Sequence, residues 1–136
     1  MLTIDLTGHV ALVLGGSRGI GASITEKLCQ AGAATIFTHT GNPEYKNRIQ
    51  DFVTRITDSE GKVKAVTVNA LDSQETTKLA NRIVQEYGKI DILIPNVGQN
   101  QAQCVEETTD EKWQHFINVN LSSVFYGVRA VLPHEF

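Results

Sequence analysis

A chain of 136 residues, 41% hydrophobic and 20% charged, has the length and balance of one globular domain with its own core. A net charge of −3 without a basic block argues against nucleic acid as a partner, and no apolar run approaches the length of a bilayer span. Two cysteines, Cys29 and Cys104, are too few for a disulfide framework; they read as free thiols, and with no signal-peptide pattern the expected location is the cytoplasm.

The stretch VALVLGGSRGIG, residues 10–21, organises the chain. The apolar run Val10–Leu14 predicts a strand. A glycine-rich turn follows, and Ile20, Ile24 and Leu28, four residues apart, predict an amphipathic helix. Gly15, Gly19 and Gly21 give the spacing GxxxGxG. Glycine admits positive φ and lets backbone N–H groups come close to a ligand. A helix start adds unpaired donors and a partial positive charge, which suits a pyrophosphate. The candidate ligand-binding residues here are Gly15, Ser17, Arg18, Gly19, Ile20 and Gly21. The bland alternative is a turn that needs its glycines for geometry alone.

Further along, Ala34–Thr38 predicts a second strand. Asn42-Pro43 reads as an N-cap with proline at the first helical position, and Tyr45, Ile49, Phe52, Val53 and Ile56 form one apolar face of the helix that Gly61 ends. Val63–Val68 predicts a third strand. Asp72 and Glu75 are spaced as a capping box for a helix with Leu79, Ile83 and Tyr87 on one face, stopped by Gly88. Ile90–Ile94 predicts a fourth, mostly apolar strand, followed by a loop from Pro95 to Gln103. Thr108 and Glu111 then form a capping box for a long helix reaching about Leu132. Its core-facing stripe is Trp113, Phe116, Ile117, Val124 and Val131, with Asn120 inside the stripe. The acids Glu106, Glu107, Asp110 and Glu111 complement the dipole of that helix.

The alternation predicts an α/β domain spanning 1–136, a doubly wound parallel sheet with helices on both faces. Right-handed crossovers give strand order 3-2-1-4 with the glycine turn at the switch point.

GGSRGIG at 15–21, PNVG at 95–98, and Trp113 with VNL at 119–121 resemble the short-chain dehydrogenase/reductase family, on the branch that includes 3-oxoacyl-carrier-protein reductases. The resemblance runs over essentially the whole chain. It implies a Rossmann-type fold and hydride transfer between NAD(P)H and a carbonyl or alcohol, with a catalytic set of Asn, Ser, Tyr and Lys. Asn120 falls where the family has its asparagine, which holds a water that relays the proton; alternatively its amide only serves the backbone. The family places the other three residues on a fifth strand and the next helix. No YxxxK occurs here, since Tyr45, Tyr87 and Tyr126 are followed four residues on by Ile49, Asp91 and Ala130. The chain therefore looks like the N-terminal portion, truncated before that catalytic segment and inactive alone. The sequence departs from the pattern in two places: Leu14 stands where the glycine motif usually begins with threonine, and NNAG reads PNVG, with Pro95 and Val97 as replacements and Asn96 and Gly98 kept. Gly98 should still let the nicotinamide-side ribose approach.

Cofactor choice follows from the end of the second strand. NAD binders of the family carry an aspartate there. His39, between Thr38 and Thr40, occupies that position, and Arg18 supplies a cation suited to phosphate. NADP is expected over NAD. Asn69, at the end of the third strand, falls where the family often has an aspartate facing adenine, or else it serves a turn. His9, His39, His115 and His134 show no metal spacing.

Three functions compete: an NADP-dependent carbonyl reductase or its N-terminal half, a non-catalytic nucleotide-binding module, and a regulatory fragment that pairs with a full-length relative. The expected partners are a small carbonyl or alcohol substrate and either a homo-oligomer or a missing C-terminal segment. A fourth strand left at the edge, and apolar residues around Val124, Phe125, Val128 and Val131 left uncovered, would drive such association.

Overall fold

A computed structural model describes residues 1–134. Four parallel strands form one sheet in the order β3-β2-β1-β4. They are β1 (Val10–Leu14), β2 (Ala34–His39), β3 (Lys62–Thr67) and β4 (Ile92–Pro95). This is the expected order. Ala11 is in register with Thr35 of β2 and with Ile92 of β4, so β1 is central. All five β1 residues are buried because helices cover both faces of the sheet.

Successive strand residues point into two different cores. Leu12, Leu14 and Ile36 pack with Leu79 and Ile83 of α3 (Ser73–Tyr87) and with Ala130 and Val131 of α5 (Ser123–Val131). Val13 and Phe37 pack on the other face with Cys29 of α1 (Gly19–Gln30) and with Ile49, Phe52 and Ile56 of α2 (Lys46–Asp58). The remaining helix is α4 (Asp110–Ile117).

In α1 the expected stripe is displaced by one residue. Ile20 is 74% exposed and Ile24 and Leu28 are half-buried, while Gly21, Thr25 and Cys29 are buried. A Cβ on Gly21 would run into the carbonyl oxygen of Gly15. The helix approaches the turn on its glycine side, which rotates the apolar template by about 100°.

Other boundaries moved for local reasons. Asn42 Oδ1 accepts from the Glu44 N–H at 3.0 Å, but the cap opens a 3₁₀ turn, Pro43–Tyr45, and α2 begins only at Lys46. Asp72 Oδ1 caps α3 by accepting from Gln74 N at 2.9 Å and Glu75 N at 3.3 Å. The returning arm of the box reaches further than expected, since Glu75 Oε2 accepts from Asn69 N at 2.7 Å. Gly88 ends α3 at φ +87°. Pro95 is the last residue of β4, not the first of a loop, and pairs with Leu14. β4 is one of the sheet's two edges among the described residues, where a proline is tolerated.

The expected long helix is interrupted. Thr109, not Thr108, caps α4 by accepting from Lys112 N at 3.2 Å; the Thr108 hydroxyl donates to Cys104 O instead. A five-residue π turn, Asn118–Ser122, separates α4 from α5, and a 3₁₀ turn, Leu132–His134, follows. A π turn holds more residues per turn than an α-helix, so it breaks the 3.6-residue stripe. Trp113 is accordingly 62% exposed and Phe116, Ile117 and Val124 are only half-buried. The buried positions of α5 are Ser123, Gly127, Ala130 and Val131.

Candidate functional site

The turn after β1 is sewn to the end of β2. Gly15 N donates to Thr38 Oγ1 at 3.0 Å and Gly16 N to Thr38 O at 3.1 Å. Gly15 sits at φ +79° and Gly19 at φ +56°, where a side chain would be strained. Arg18 is the extended N-cap of α1, no side-chain bond caps the helix, and no acid lies in its first turn. The first N–H groups of a helix have no helical carbonyl four residues back, so an end without a side-chain cap offers donors and partial positive charge that suit an anion.

In front of the turn lies a cleft of about 460 Å³. The turn contributes Gly15, Ser17, Arg18, Gly19 and Ile20. The end of β2 contributes Thr38 and His39, and its connection to α2 contributes Thr40, Asn42 and Tyr45, with Ile49 of α2 behind them. Val68 and Ala70 follow β3, and Asn96, Val97 and Gly98 follow β4. The cleft thus sits past the carboxyl ends of the strands, by the point where strand order reverses between β1 and β4.

Most of the expected site residues meet there. Gly21 stands behind the turn, where its missing side chain lets α1 pack. Asn96 crosses from the loop after β4 and donates through Nδ2 to Gly15 O at 3.1 Å, which ties that loop to the turn. Asn69 is turned to local duty, its Oδ1 accepting from Leu71 N at 3.0 Å, and the cleft wall beside it is Val68 and Ala70.

His39 ends β2 as expected. Its Nδ1 accepts from Gly41 N at 3.1 Å, and burial holds its pKa below the ordinary imidazole value. The ring therefore favours its neutral form. None of the described residues lining the cleft is acidic. The Arg18 guanidinium is held by Tyr45: Nη1 donates to the Tyr45 hydroxyl at 2.7 Å, and Cζ lies 4.7 Å from the ring centroid. Arg48 of α2 reaches the same ring at 6.0 Å.

Asn120 lies at the other end of the site, and here the structure corrects the sequence. It is exposed, not buried in a core stripe, because the π turn carries it off that face. Its side chain is nonetheless fully engaged as a donor. Nδ2 donates to Gln99 O at 2.8 Å and to Phe116 O at 3.0 Å, while Oδ1 accepts from Gln99 N at 3.1 Å. The Gln99 side chain is fixed too, its Oε1 2.8 Å from His115 Nε2. A Cβ on Gly98 would lie 3.1 Å from Asn120 Oδ1, so a side chain there would press on the Asn120 amide.

No motif marks Tyr45 or Gln99. Tyr45 was legible only as part of the α2 apolar face. The available signal was its position: in a βαβ unit, the loop after β2 and the turn after β1 open on the same cleft. Gln99 carried no signal beyond following the PNVG stretch.

The family model for short chain dehydrogenases matches residues 9–135. The chain is 36% identical over 129 residues to the 3-oxoacyl-acyl-carrier-protein reductase of Salmonella typhimurium, covering 95% of this chain and 50% of that protein. A dehydrogenase/reductase from Sinorhizobium meliloti superposes with a TM-score of 0.90 at 32% identity, over 97% of this chain and 51% of that one. A short chain dehydrogenase from Burkholderia cenocepacia, solved in complex with NADP, superposes with a TM-score of 0.87 at 30% identity, over 96% and 52%. The chain spans about half the length of the curated relatives it matches.

Proposed function

The chain belongs to the short chain dehydrogenase family, and from that premise we propose that residues 1–136 form the NADP-binding domain of an oxidoreductase acting on a small carbonyl or alcohol. When bound, the dinucleotide supplies the hydride donor or acceptor. The observation that carries the reading is the cleft, with an uncapped helix start on one side and Arg18 above a wall without acids. Gly15, Ser17, Gly19 and Ile20 would hold the pyrophosphate, with Gly21 allowing the turn to close. Arg18, beside Thr38 and His39, would take the 2′-phosphate that distinguishes NADP, where an aspartate would repel it. Asn96 and Gly98 would face the nicotinamide-side ribose, and the adenine would lie against Val68 and Ala70, with Asn69 between them holding the turn that shapes this wall. The relative solved with NADP supports this preference over NAD.

Asn120 is the member of the catalytic set that this chain carries. With both Nδ2 hydrogens donated, what it still offers is the second lone pair of Oδ1. It also holds the main chain that follows Gly98. No YxxxK stretch occurs in the sequence, so no positioned tyrosine acid is assigned, and the chain by itself is proposed to bind without turnover. General acid help is worth ~10²–10⁴-fold.

Self-association, or pairing with a further segment or a related chain, belongs to the same reading. Leu121, Phe125, Val128 and Leu132 stand exposed along α5 and the two turns that flank it, and Val128, Val131 and Leu132 border a groove with Leu93 and Pro95 of β4. No helix among the described residues is long and apolar enough to cross a membrane. The unpaired thiols of Cys29 and Cys104 support a cytoplasmic placement.

A thermal shift experiment tests the reading. A ligand that binds the folded chain alone stabilises it by about 2.7 kcal/mol at a concentration a hundred times its Kd. NADPH should raise the melting temperature in a concentration-dependent way, and ketones added with NADPH should give no oxidation of it. No shift at millimolar NADPH contradicts the binding assignment.

A further inference from the structure

We infer that Tyr45 is a positioning residue for nucleotide choice: it holds Arg18 in place at the cleft mouth, ready for a 2′-phosphate. This role presupposes the NADP reading above and adds a residue to it. Arg18 is exposed at the N-cap of α1, and no other side chain hydrogen-bonds it among the described residues. A free arginine must be ordered when an anion arrives, and immobilising one such side chain weakens a ligand by roughly 2- to 10-fold. Tyr45 removes part of that cost in advance. Its hydroxyl accepts from Nη1 at 2.7 Å while its ring lies under the guanidinium at 4.7 Å. The bond and the face contact together restrict where the guanidinium plane can go. Arginine has five N–H donors and the tyrosine takes one, which leaves the others for phosphate.

Tyr45 is itself well anchored, which a positioning residue must be. Its N–H donates to Asn42 O at 3.1 Å, in the 3₁₀ turn that Asn42 caps and Pro43 begins. Its half-buried ring packs on the core formed by Val13, Phe37, Ile49 and Phe52. The ring therefore connects the sheet interior to Arg18, the one arginine among the described residues lining the cleft. Arg48, 6.0 Å from the same ring, adds a second positive charge on this side.

The test is fluorescence titration of the parent chain, Tyr45→Phe, Arg18→Ala and the double variant with NADPH and with NADH. Tyr45→Phe keeps the ring and removes the hydroxyl. NADPH affinity should fall roughly 2- to 10-fold with NADH affinity unchanged. The same pattern is expected for 2′,5′-ADP against 5′-AMP. In the Arg18→Ala background the Tyr45→Phe change should have no further effect. Tyr45→Leu retains an apolar side chain for the core and removes both contacts, so its NADPH-specific loss should be at least as large; it carries the test if Tyr45→Phe does not fold. Equal losses for both nucleotides would make Tyr45 merely structural and overturn the inference. Unchanged NADPH affinity in both Tyr45 variants, with Arg18→Ala abolishing the preference, would overturn it and leave the NADP reading standing. A parent chain without preference for NADPH, or an Arg18→Ala variant that keeps the parent's preference, would defeat the NADP reading and this inference with it.

Discussion

Asn120 and Gln99, 21 residues apart, are joined by two opposed hydrogen bonds: Gln99 N to Asn120 Oδ1 at 3.1 Å, and Asn120 Nδ2 to Gln99 O at 2.8 Å. A side-chain amide here does what a neighbouring strand would do, satisfying both main-chain groups of one residue. Through it the π turn between α4 and α5 fixes the loop that leaves β4 past Gly98.

Asn120→Ala should therefore loosen that loop before it affects the fold. Three hydrogen bonds are lost at an exposed position, so the cost should be about 1–2 kcal/mol. That corresponds to a melting temperature lower by roughly 4–8 °C. Hydrogen exchange at the Gln99 amide should accelerate, while the β1 amides stay protected. Unchanged exchange at Gln99 would show that the clamp is not formed in solution.

The glycines of the turn should separate into two kinds. Gly21→Ala places a Cβ against the Gly15 carbonyl oxygen, and overpacking of this sort costs about 1–3 kcal/mol. It should appear as lost stability. A Cβ at Gly19 meets no atom within 4 Å, but the φ of +56° is strained for a branched residue and the side chain would stand at the proposed pyrophosphate position. Gly19→Val should keep a cooperative unfolding transition and lose NADPH binding. Full affinity in a folded Gly19→Val chain would remove the turn from the site.

His39 predicts a pH effect on stability. Burial lowers its pKa from the ordinary 6.5, so the unfolded chain binds more protons than the folded one below that value. The contribution of the neutral ring is complete above about 6.5 and is lost as pH falls through the lower folded value. Melting temperatures measured from pH 8 down to 5 should fall more gently for His39→Asn than for the parent. Parallel curves would mean that the ring is not held in its neutral form.

The uncovered face of α5 should make association concentration-dependent. Phe125, 57% exposed, carries Arg129 over its ring at 4.8 Å, and Val128 and Leu132 continue the apolar surface. Light scattering at low micromolar concentration should report species larger than a monomer, and Phe125→Asp with Val128→Asp should shift them toward monomer. A monodisperse parent chain whose unfolding is independent of concentration would contradict this.

Strand identity and sheet order were legible because they depend on features a sequence displays directly: apolar runs such as Val10–Leu14, and helix stops such as Gly88. The stripe of α1 was misread because isoleucine scores as buried and glycine does not, whereas the close approach of Gly21 to Gly15 decides which side faces the sheet. The π turn at Asn118–Ser122 has no composition of its own, so a single helix was the natural reading and Asn120 was placed inside the core. His39, Asn96 and Gly98 were expected from the resemblance of the second strand's end and of the PNVG stretch to the family's pattern, and all three line the cleft. Tyr45 was read for its ring alone, since its hydroxyl partner, Arg18, is 27 residues away and meets it only in the folded unit.

The central claim, that the cleft between the glycine turn and the β2–α2 connection is an NADP site, is tested most directly by the ratio of two dissociation constants. The purified chain, titrated with NADPH and NADH under identical conditions and followed by nicotinamide fluorescence, should bind NADPH more tightly, and Arg18→Ala should bring the two constants together. Binding of NADH as tight as or tighter than that of NADPH would contradict the account.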